Sequence, residues 1–388
     1  MLQDEQILIL GQTNARSDRR LFGMRQADRL SHVYIIGKTG TGKSTLLENM
    51  IRQDFAAGRG AALIDPHGDL AARVEAHIPK WRRDVQVVDL GRPTPGVGYN
   101  PLLHVSEPLR SIVVSGAMDV FKMMWADAWG VRMENILRHS LWALVEQPRA
   151  TLQDLIPLLT EKSTRARALA NVRNEETRRF FLKELPSYPP RFMAESLAPI
   201  QNKVAAFLAD ARVRAFIAPE GDGLRLRQIM DEGGGLIVNL AEGRIGADSA
   251  HLVGGLLVTA LGSAAYSRAA LPEAQRRPFI AYVDEFQNFT TLAVAKMLSE
   301  MRKFGVGMVL ANQFIAQLEP EVAQSVLGNA GSLIAFRLGG DDAPRIAREL
   351  QPTFTAQDLI SLPNYHIYVR MLVDGNPTPS FSAMTLSA

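Results

Sequence analysis

The 388-residue chain contains no cysteine. That excludes disulfides, thiolate metal sites and a cysteine nucleophile together, and it suits a reducing cytoplasm. Aromatic residues make up only 7% of the chain, with no cluster resembling a platform for stacking single-stranded bases. The seven histidines are scattered, and no two stand at a metal-ligand spacing. No Gly-x-Ser-x-Gly elbow and no nuclease-like carboxylate cluster occur, so any nuclease activity would come from a partner. Neither sign of charge dominates: the net charge is +3 and the pI about 9.1, which permits nucleic-acid binding without demanding it. The first residues, Met1 to Gln6, lack the basic and apolar regions of a signal peptide. The longest apolar stretch, Leu252 to Tyr266, is glycine-rich and falls short of the roughly 20 residues a membrane helix needs. The expectation is a cytoplasmic protein with no membrane insertion by this chain.

What the chain does have is a core. Its 47% hydrophobic content is that of a globular protein. An apolar run at Ile7 to Gly11 precedes a polar, arginine-rich connection. From His32 the pattern becomes strand, glycine loop and helix: Val33 to Ile36, then the glycine segment, then Leu46 to Phe55. Further buried strands fit Ala61 to Ile64 and Val85 to Leu90. From about Glu107 to Gln228 the texture is helical, with amphipathic stretches at Ile112–Trp129 and Glu134–Val145 and breaks at Pro148, Pro157 and Pro186 to Pro190. Strand patterns return at Gly235–Leu240, Phe279–Val283, Gly307–Leu310, Leu333–Phe336 and His366–Leu372. This alternation predicts an α/β fold with a mainly parallel sheet, interrupted by an all-α insertion. The boundaries are 1–106 for the first part of the core, 107–228 for the insertion and 229–388 for the rest of the core.

The segment Gly37-Lys38-Thr39-Gly40-Thr41-Gly42-Lys43-Ser44, followed by Thr45, is a phosphate-binding loop. Its glycines let backbone N–H groups close around phosphate oxygens where a Cβ would clash. The donors lie at a helix N-terminus, whose partial positive charge favours an anion. Lys43 is expected to reach the β- and γ-phosphates of ATP, and Ser44 to ligate Mg²⁺. A second metal contact is expected from Asp284, which ends the apolar run Phe279–Val283. Glu285 beside it is the candidate general base for the attacking water. A helix-capping role for these two acids is the simpler alternative.

Downstream, Arg302 precedes the apolar run Gly307–Leu310 and Gln313 follows it. This pattern resembles the FtsK/HerA superfamily of ring-forming DNA motors, which includes the coupling ATPases of conjugation and type IV secretion. The resemblance covers most of the chain. It extends through Phe22-Gly23, Asp28-Arg29, Asp65-Pro66-His67-Gly68-Asp69, Asn100-Pro101-Leu102, Trp129 to Glu134, Asp284 to Phe289 and Phe336 to Ala343, and is nearest the soluble ATPase domain of the coupling proteins. The resemblance implies a RecA-like core, a γ-phosphate-sensing role for Gln313, and a role for Arg302 as a finger into the neighbouring subunit's site. It further implies a homo-hexamer acting on double-stranded DNA without sequence preference. Coupling proteins usually carry N-terminal membrane helices and HerA helicases an N-terminal β-barrel; about thirty residues before the loop hold neither.

Other residues are open to two readings. Arg337 follows an apolar run and is a candidate interface arginine. The stretch Asp65 to Asp69 fits a strand–turn–helix with Asp69 as N-cap, or a nucleotide-edge or subunit contact. For DNA phosphates the candidates are Arg244, in a Gly-Arg loop at Glu242–Gly246, and Arg165, Arg167 and Arg173. The leading expectation is an ATP-driven DNA translocase. Its rivals are an oligomeric ATPase gating a partner effector such as a nuclease in phage defence, and an AAA+-type protein-handling motor. Secretion-system proteins are further candidate partners.

Overall fold

The computed structural model describes residues 7–14 and 19–386, and divides into two compact units. The N-terminal hexapeptide read above lies outside the described residues. One unit comprises residues 1–87, 226–240 and 264–388; the other comprises 88–225 and 241–263. The helical unit thus begins earlier in sequence than the helical texture does, and it takes in residues 241–263 from beyond the strand at Gly235.

The first unit is built on one sheet. Its strands are β1 (Leu8–Thr13), β2 (Leu21–Met24), β3 (Val33–Ile36), β4 (Gly60–Asp65), β5 (Val85–Asp89), β6 (Gly235–Asn239), β7 (Phe279–Val283), β8 (Val306–Asn312), β9 (Ser332–Ala335) and β10 (His366–Arg370). A small hairpin of β11 (Leu372–Val373) and β12 (Asn376–Pro377) follows, and β13 (Phe381–Thr385) returns to the sheet. The order is β2-β1-β13-β10-β9-β3-β8-β7-β4-β6-β5. From β9 to β6 the pairings are parallel; β10, β13, β1 and β2 extend them as an antiparallel margin. The parallel strands are buried almost throughout, because crossover helices cover both faces of such a sheet. They therefore read in sequence as continuous apolar runs. The antiparallel margin alternates buried and half-exposed positions, as β10 does, and that weaker signal concealed β2 and β13.

Helix α1 (Lys43–Ala56) packs Leu46, Leu47, Met50, Ile51 and Phe55 against the sheet. Beneath it, the fully buried Arg29 guanidinium grips Asp54 through two bonds, Nη1 to Oδ1 at 2.7 Å and Nη2 to Oδ2 at 2.6 Å. Tyr282 of β7 donates to Asp54 Oδ2 at 2.6 Å. A bidentate geometry offsets the desolvation of a buried pair, and here it ties α1 to the strand that leads to Asp284. Asp28 serves structure as well, since its carboxylate accepts the N–H groups of Asp374 (3.1 Å) and Gly375 (2.8 Å).

The second unit is helical. Phe121 and Trp125 stack at 4.5 Å in its interior, with Phe207 beyond. The helix Arg110–Met124 approaches Ala247–Ser267 closely at Gly116, where a Cβ would lie 2.2 Å from Thr259 Cγ2. Pro157 does not break a helix. It occupies the first turn of Leu155–Thr160, where a missing N–H costs nothing. The segment expected to be too short for a membrane is longer than its apolar run suggested. Ala247–Ala270 is long and apolar enough to cross one, with a mean hydropathy of 1.3, and 89% of that window is buried inside the protein.

Candidate functional site

The phosphate loop leaves β3 at Ile36 and enters α1 at Lys43. Gly40 and Gly42 have φ of 75° and 117°, backbone conformations that L side chains rarely adopt. The loop is tied down from both flanks: Gly37 N–H donates to Asn312 O at 3.4 Å and Lys38 N–H to Arg337 O at 3.0 Å. Thr41 Oγ1 donates to Lys38 O at 2.7 Å. The Lys43 ammonium donates to Gly37 O at 2.6 Å and Lys38 O at 3.3 Å, so its charge is held at the loop's centre. Burial lowers its proton affinity, and the nearby Glu285 and Asp284 partly restore it. Lys38, Thr39 and Gly40 are exposed; Ser44 and Thr45 are half-buried in the first helical turn.

Parallel register brings the acids to the same edge. Ile36 lies opposite Asn312, and Ile64 opposite Val283, so Gly37, Gln313 and Asp284 follow the C-terminal ends of adjacent strands and Asp65 ends the next one, at the edge where ligands bind in open α/β sheets. Asp284 is buried. Desolvation first, then the charges of Glu285 and Asp65, push its carboxyl up to about 6, against the pull of the Glu285 N–H and of Lys43. Glu285 sits at φ 47°, a left-handed conformation that costs a non-glycine residue on the order of 1–3 kcal/mol. Its carboxylate is gripped on both oxygens: Gln287 Nε2 donates to Oε2 at 2.6 Å and Gln313 Nε2 to Oε1 at 2.7 Å. Gln313 Oε1 in turn accepts from Thr39 Oγ1 at 2.7 Å. Gln313 therefore spans the phosphate loop and the acid. Its turn is fixed by Asn312, whose side chain accepts from Tyr34 OH at 2.7 Å and donates to Phe314 O at 3.0 Å.

The donor set suits a hard divalent cation. Ser44 offers a hydroxyl and Asp284 a buried carboxylate with Glu285 and Asp65 close enough to raise its proton affinity further, after desolvation. No group of three or more His, Asp or Glu poised to hold a metal occurs among the described residues. An ion here would complete its shell with phosphate oxygens and water, which is the habit of Mg²⁺.

Asp65 has a different task from the one its sequence suggested for Asp69. Its two carboxylate oxygens accept His67 N–H at 3.0 Å and Ala71 N–H at 2.8 Å. Asp69 is the first residue of the helix Asp69–Glu75, behind an N-cap at Gly68. The acid before the turn, rather than the acid after it, satisfies the helix's free donors.

Arg302 lies at the opposite end of β8. It is exposed on the turn Met301–Phe304, and seven strand residues separate that turn from Gln313. At ~3.3 Å per residue this is roughly 20 Å, beyond the reach of an arginine side chain. The structure does not bring Arg302 to its own phosphate loop. The turn's backbone, by contrast, is strongly braced. The fully buried Arg268 donates to Phe304 O (2.9 Å) and Arg277 O (2.6 Å) while its Nε meets Asp231 Oδ1 at 2.9 Å. His32 accepts Met308 N–H at Nδ1 (3.0 Å) and contacts Leu298 O through Nε2 at 2.7 Å, closing the segment from the other side. Among the described residues no hydrogen-bond or ion-pair partner meets the Arg302 guanidinium. Sequence reasoning missed Arg268 and His32, whose partners lie far from them in sequence: Phe304 for Arg268, and Leu298 and Met308 for His32.

The remaining arginines divide. Arg337 stands at the phosphate edge, donating to Asn364 Oδ1 at 2.8 Å and Leu362 O at 3.4 Å. Arg165 donates from Nε to Leu158 O at 3.1 Å and from Nη2 to Leu159 O; it caps a helix end rather than offering itself to DNA. Arg167 and Arg173 are exposed. The expected Gly-Arg loop is a helical turn, Glu242–Ile245, with Arg244 exposed and its carbonyl accepting Arg212 Nη2 at 2.8 Å.

The model of the family described as "Helicase HerA, central domain" matches residues 26–256, more than half of the chain. Among solved structures the fold is similar to the bacterial conjugative coupling protein TrwB lacking its first 70 residues, with 17% identity, a TM-score of 0.68, and 97% of this chain and 89% of that one covered. TrwB with ADP and Mg²⁺ aligns at 19% identity and a TM-score of 0.66, over 94% and 88% of the two chains. VirB4 of Thermoanaerobacter pseudethanolicus aligns at 14% identity and a TM-score of 0.66, over 99% and 98%. Comparison with curated proteins finds no match. The chain belongs to the family of the HerA helicase central domain, an FtsK/HerA-type ATPase with the RecA-like P-loop fold shared by TrwB and VirB4.

Proposed function

We propose that this protein is an ATP-hydrolysing, ring-forming DNA translocase, assembled as a homo-hexamer and using Mg-ATP at the edge formed by the phosphate loop, Asp284, Glu285 and Gln313. The observation that carries the reading is the placement of Arg302: a braced backbone, a guanidinium with no hydrogen-bond or ion-pair partner among the described residues, and a position one strand length from its own site. An arginine so placed suits a neighbour's nucleotide. Ser44 and Asp284 would hold Mg²⁺, which supplies charge neutralisation at the phosphates. Lys43 neutralises the β- and γ-phosphate oxygens, Glu285 takes the proton of the attacking water, and Gln313 positions that carboxylate. Arg244, on an exposed turn, is the proposed contact to DNA phosphates, and Arg167 and Arg173, exposed in the same unit, are further proposed contacts. The resemblance to the FtsK/HerA DNA motors suggests DNA as the cargo.

Hydrolysis measured with and without double-stranded DNA, beside a native mass measurement, tests this. The expected result is a hexameric mass, DNA-stimulated turnover, and a DNA affinity that falls steeply with salt and ignores sequence. Arg244→Glu is expected to lower stimulated turnover more than basal turnover. A fully active monomer, or hydrolysis indifferent to DNA, would overturn the reading.

A further inference from the structure

We infer that Tyr365 is the platform on which the base of the bound nucleotide stacks; the inference rests on the phosphate loop's being a nucleotide site. The sheet order gives the direction. The reactive groups lie on one side of β3, where β8 and β7 deliver Gln313, Glu285 and Asp284. A nucleotide whose terminal phosphate faces them must extend its nucleoside to the other side of β3, toward β9 and β10.

On that side the structure places an exposed aromatic ring against the loop. Tyr365 immediately precedes β10, and about half of its surface is open (49%). Its ring lies so close to the loop that a Cβ on Gly42 would come within 2.8 Å of Cδ1, and Phe336 closes the space beneath. Glycine at position 42 thus answers two demands, its φ of 117° and the ring beside it. The backbone of Tyr365 is held from both sides. Its N–H donates to Thr41 O at 2.8 Å, and its carbonyl accepts Thr385 N–H at 2.9 Å and Thr385 Oγ1 at 3.3 Å. The same residue has φ 64°, unusual for a bulky side chain. Strain of this kind persists only where surrounding bonds over-determine the conformation, and it clusters at ligand sites.

Among the described residues the Tyr365 ring packs beside Gly42 and is otherwise half open. The phenol makes no hydrogen bond among the described residues, whereas the buried Tyr34 and Tyr282 both spend theirs. Asn49, one helical turn beyond Thr45, donates to Leu386 O at 2.9 Å, so the end of β13 flanks the first turns of α1 on this same side. The result is an exposed aromatic ring beside the helix N-terminus, and an aromatic face stacks a base without reading its edge. Such a surface accepts a purine face and does not choose between adenine and guanine.

Calorimetric titration of the full chain with Mg-ATP, Mg-GTP and Mg-tripolyphosphate tests the assignment, since tripolyphosphate fills a phosphate loop and carries no base. The parent is expected to bind ATP and GTP within a few-fold of each other and both more tightly than tripolyphosphate. Tyr365→Ala is expected to weaken both nucleotides by about ten- to a hundredfold and to leave tripolyphosphate unchanged. Tyr365→Phe is expected to bind like the parent. Equal weakening of all three ligands by Tyr365→Ala would show that the ring only props Gly42, and unchanged ATP binding would dismiss the platform; either overturns the proposal. A parent that binds tripolyphosphate as tightly as ATP also overturns it while leaving the phosphate loop intact. A parent that binds none of the three removes the nucleotide site and the platform together.

Discussion

Gln313 holds Glu285 in place: its amide Nε2 donates to the carboxylate at 2.7 Å, and its Oε1 receives the Thr39 hydroxyl of the phosphate loop at 2.7 Å. A ligand that draws Thr39 toward phosphate must break or stretch this chain, so the contact couples loop occupancy to the orientation of the acid. Glu285→Gln keeps the shape of the side chain and loses the base. It is expected to bind ATP with parental affinity and to lose at least a hundredfold in turnover. Gln313→Ala frees the acid without removing it. The expected outcome is a ten- to a hundredfold lower kcat, on the order expected for misplacing a catalytic group, with ATP affinity within a few-fold of the parent. Single-turnover hydrolysis beside equilibrium ATP binding checks both variants. Normal turnover in Glu285→Gln would transfer the base role to another group.

Asp284 is expected to make the nucleotide-free protein less stable at neutral pH. Burial and the neighbouring carboxylates raise its carboxyl to about 6, above the ordinary carboxylate range, so the folded state binds the proton more tightly than the unfolded chain does. The sign follows from linkage: the protonated form favours folding below about pH 4, and that advantage is lost as pH rises through 6. Asp284→Asn removes the buried charge and leaves Glu285 and Asp65 with one fewer like-charged neighbour. At pH 7 it is expected to stabilise the nucleotide-free protein by on the order of 2 kcal/mol, while hydrolysis is lost with the metal contact. The stability difference from the parent is expected to shrink toward zero by about pH 4. Denaturant unfolding at pH 4, 5.5 and 7 measures this. A variant less stable than the parent at pH 7 would contradict the burial argument.

The legible part of the molecule is the part encoded locally. The phosphate loop and the Asp284-Glu285 pair each sit in one short stretch, a buried strand followed by a turn, and the apolar runs of β3 and β7 locate them to the residue. Residues whose meaning depends on a distant partner were opaque. Asp65 looked like a turn residue beside a capping Asp69, yet it is Asp65 that accepts Ala71 N–H, six positions on. Arg165 looked like a free cation on a charged helix, whereas its guanidinium closes the end of the preceding helix. Strand β13 carries little apolar periodicity, because its neighbours β10 and β1 supply the pairing. Arg268 could have been suspected only from its place in an apolar helix end, where an arginine must find partners or be expelled.

That buried arginine braces the turn that carries Arg302, the proposed finger. Arg268 satisfies Asp231, Phe304 O and Arg277 O at once, through a planar fork that a lysine cannot reproduce. Arg268→Lys is expected to cost about 2–3 kcal/mol in stability and to lower turnover in assembled rings. ATP affinity is expected to remain within a few-fold of the parent, because the phosphate loop lies at the other end of β8. Comparing ATP binding with steady-state hydrolysis below the melting transition separates the two effects. An equal loss in both would show that the damage spreads through the sheet.

On the proposed reading, Arg302 ties chemistry to assembly. A guanidinium delivered to the γ-phosphate can contribute 10³ to 10⁵ in rate, and the braced turn that carries it lies one strand length from its own site. Arg302→Ala is therefore expected to bind ATP normally and to hydrolyse it at least a thousandfold more slowly. Lys43→Ala, which removes the cation at the loop's centre, is expected to be equally inactive. Mixing the two should restore activity. At one class of interface an intact loop from an Arg302→Ala subunit faces an intact arginine from a Lys43→Ala subunit, and only there are both parts present. An arginine acting within its own subunit gives no such rescue, since no single chain in the mixture carries both groups. Native mass must show mixed rings, and activity is expected to peak near an equal ratio of the two variants. Verified mixed rings with no activity at any ratio, together with a parent that hydrolyses ATP fully as a monomer, would exclude a finger supplied in trans.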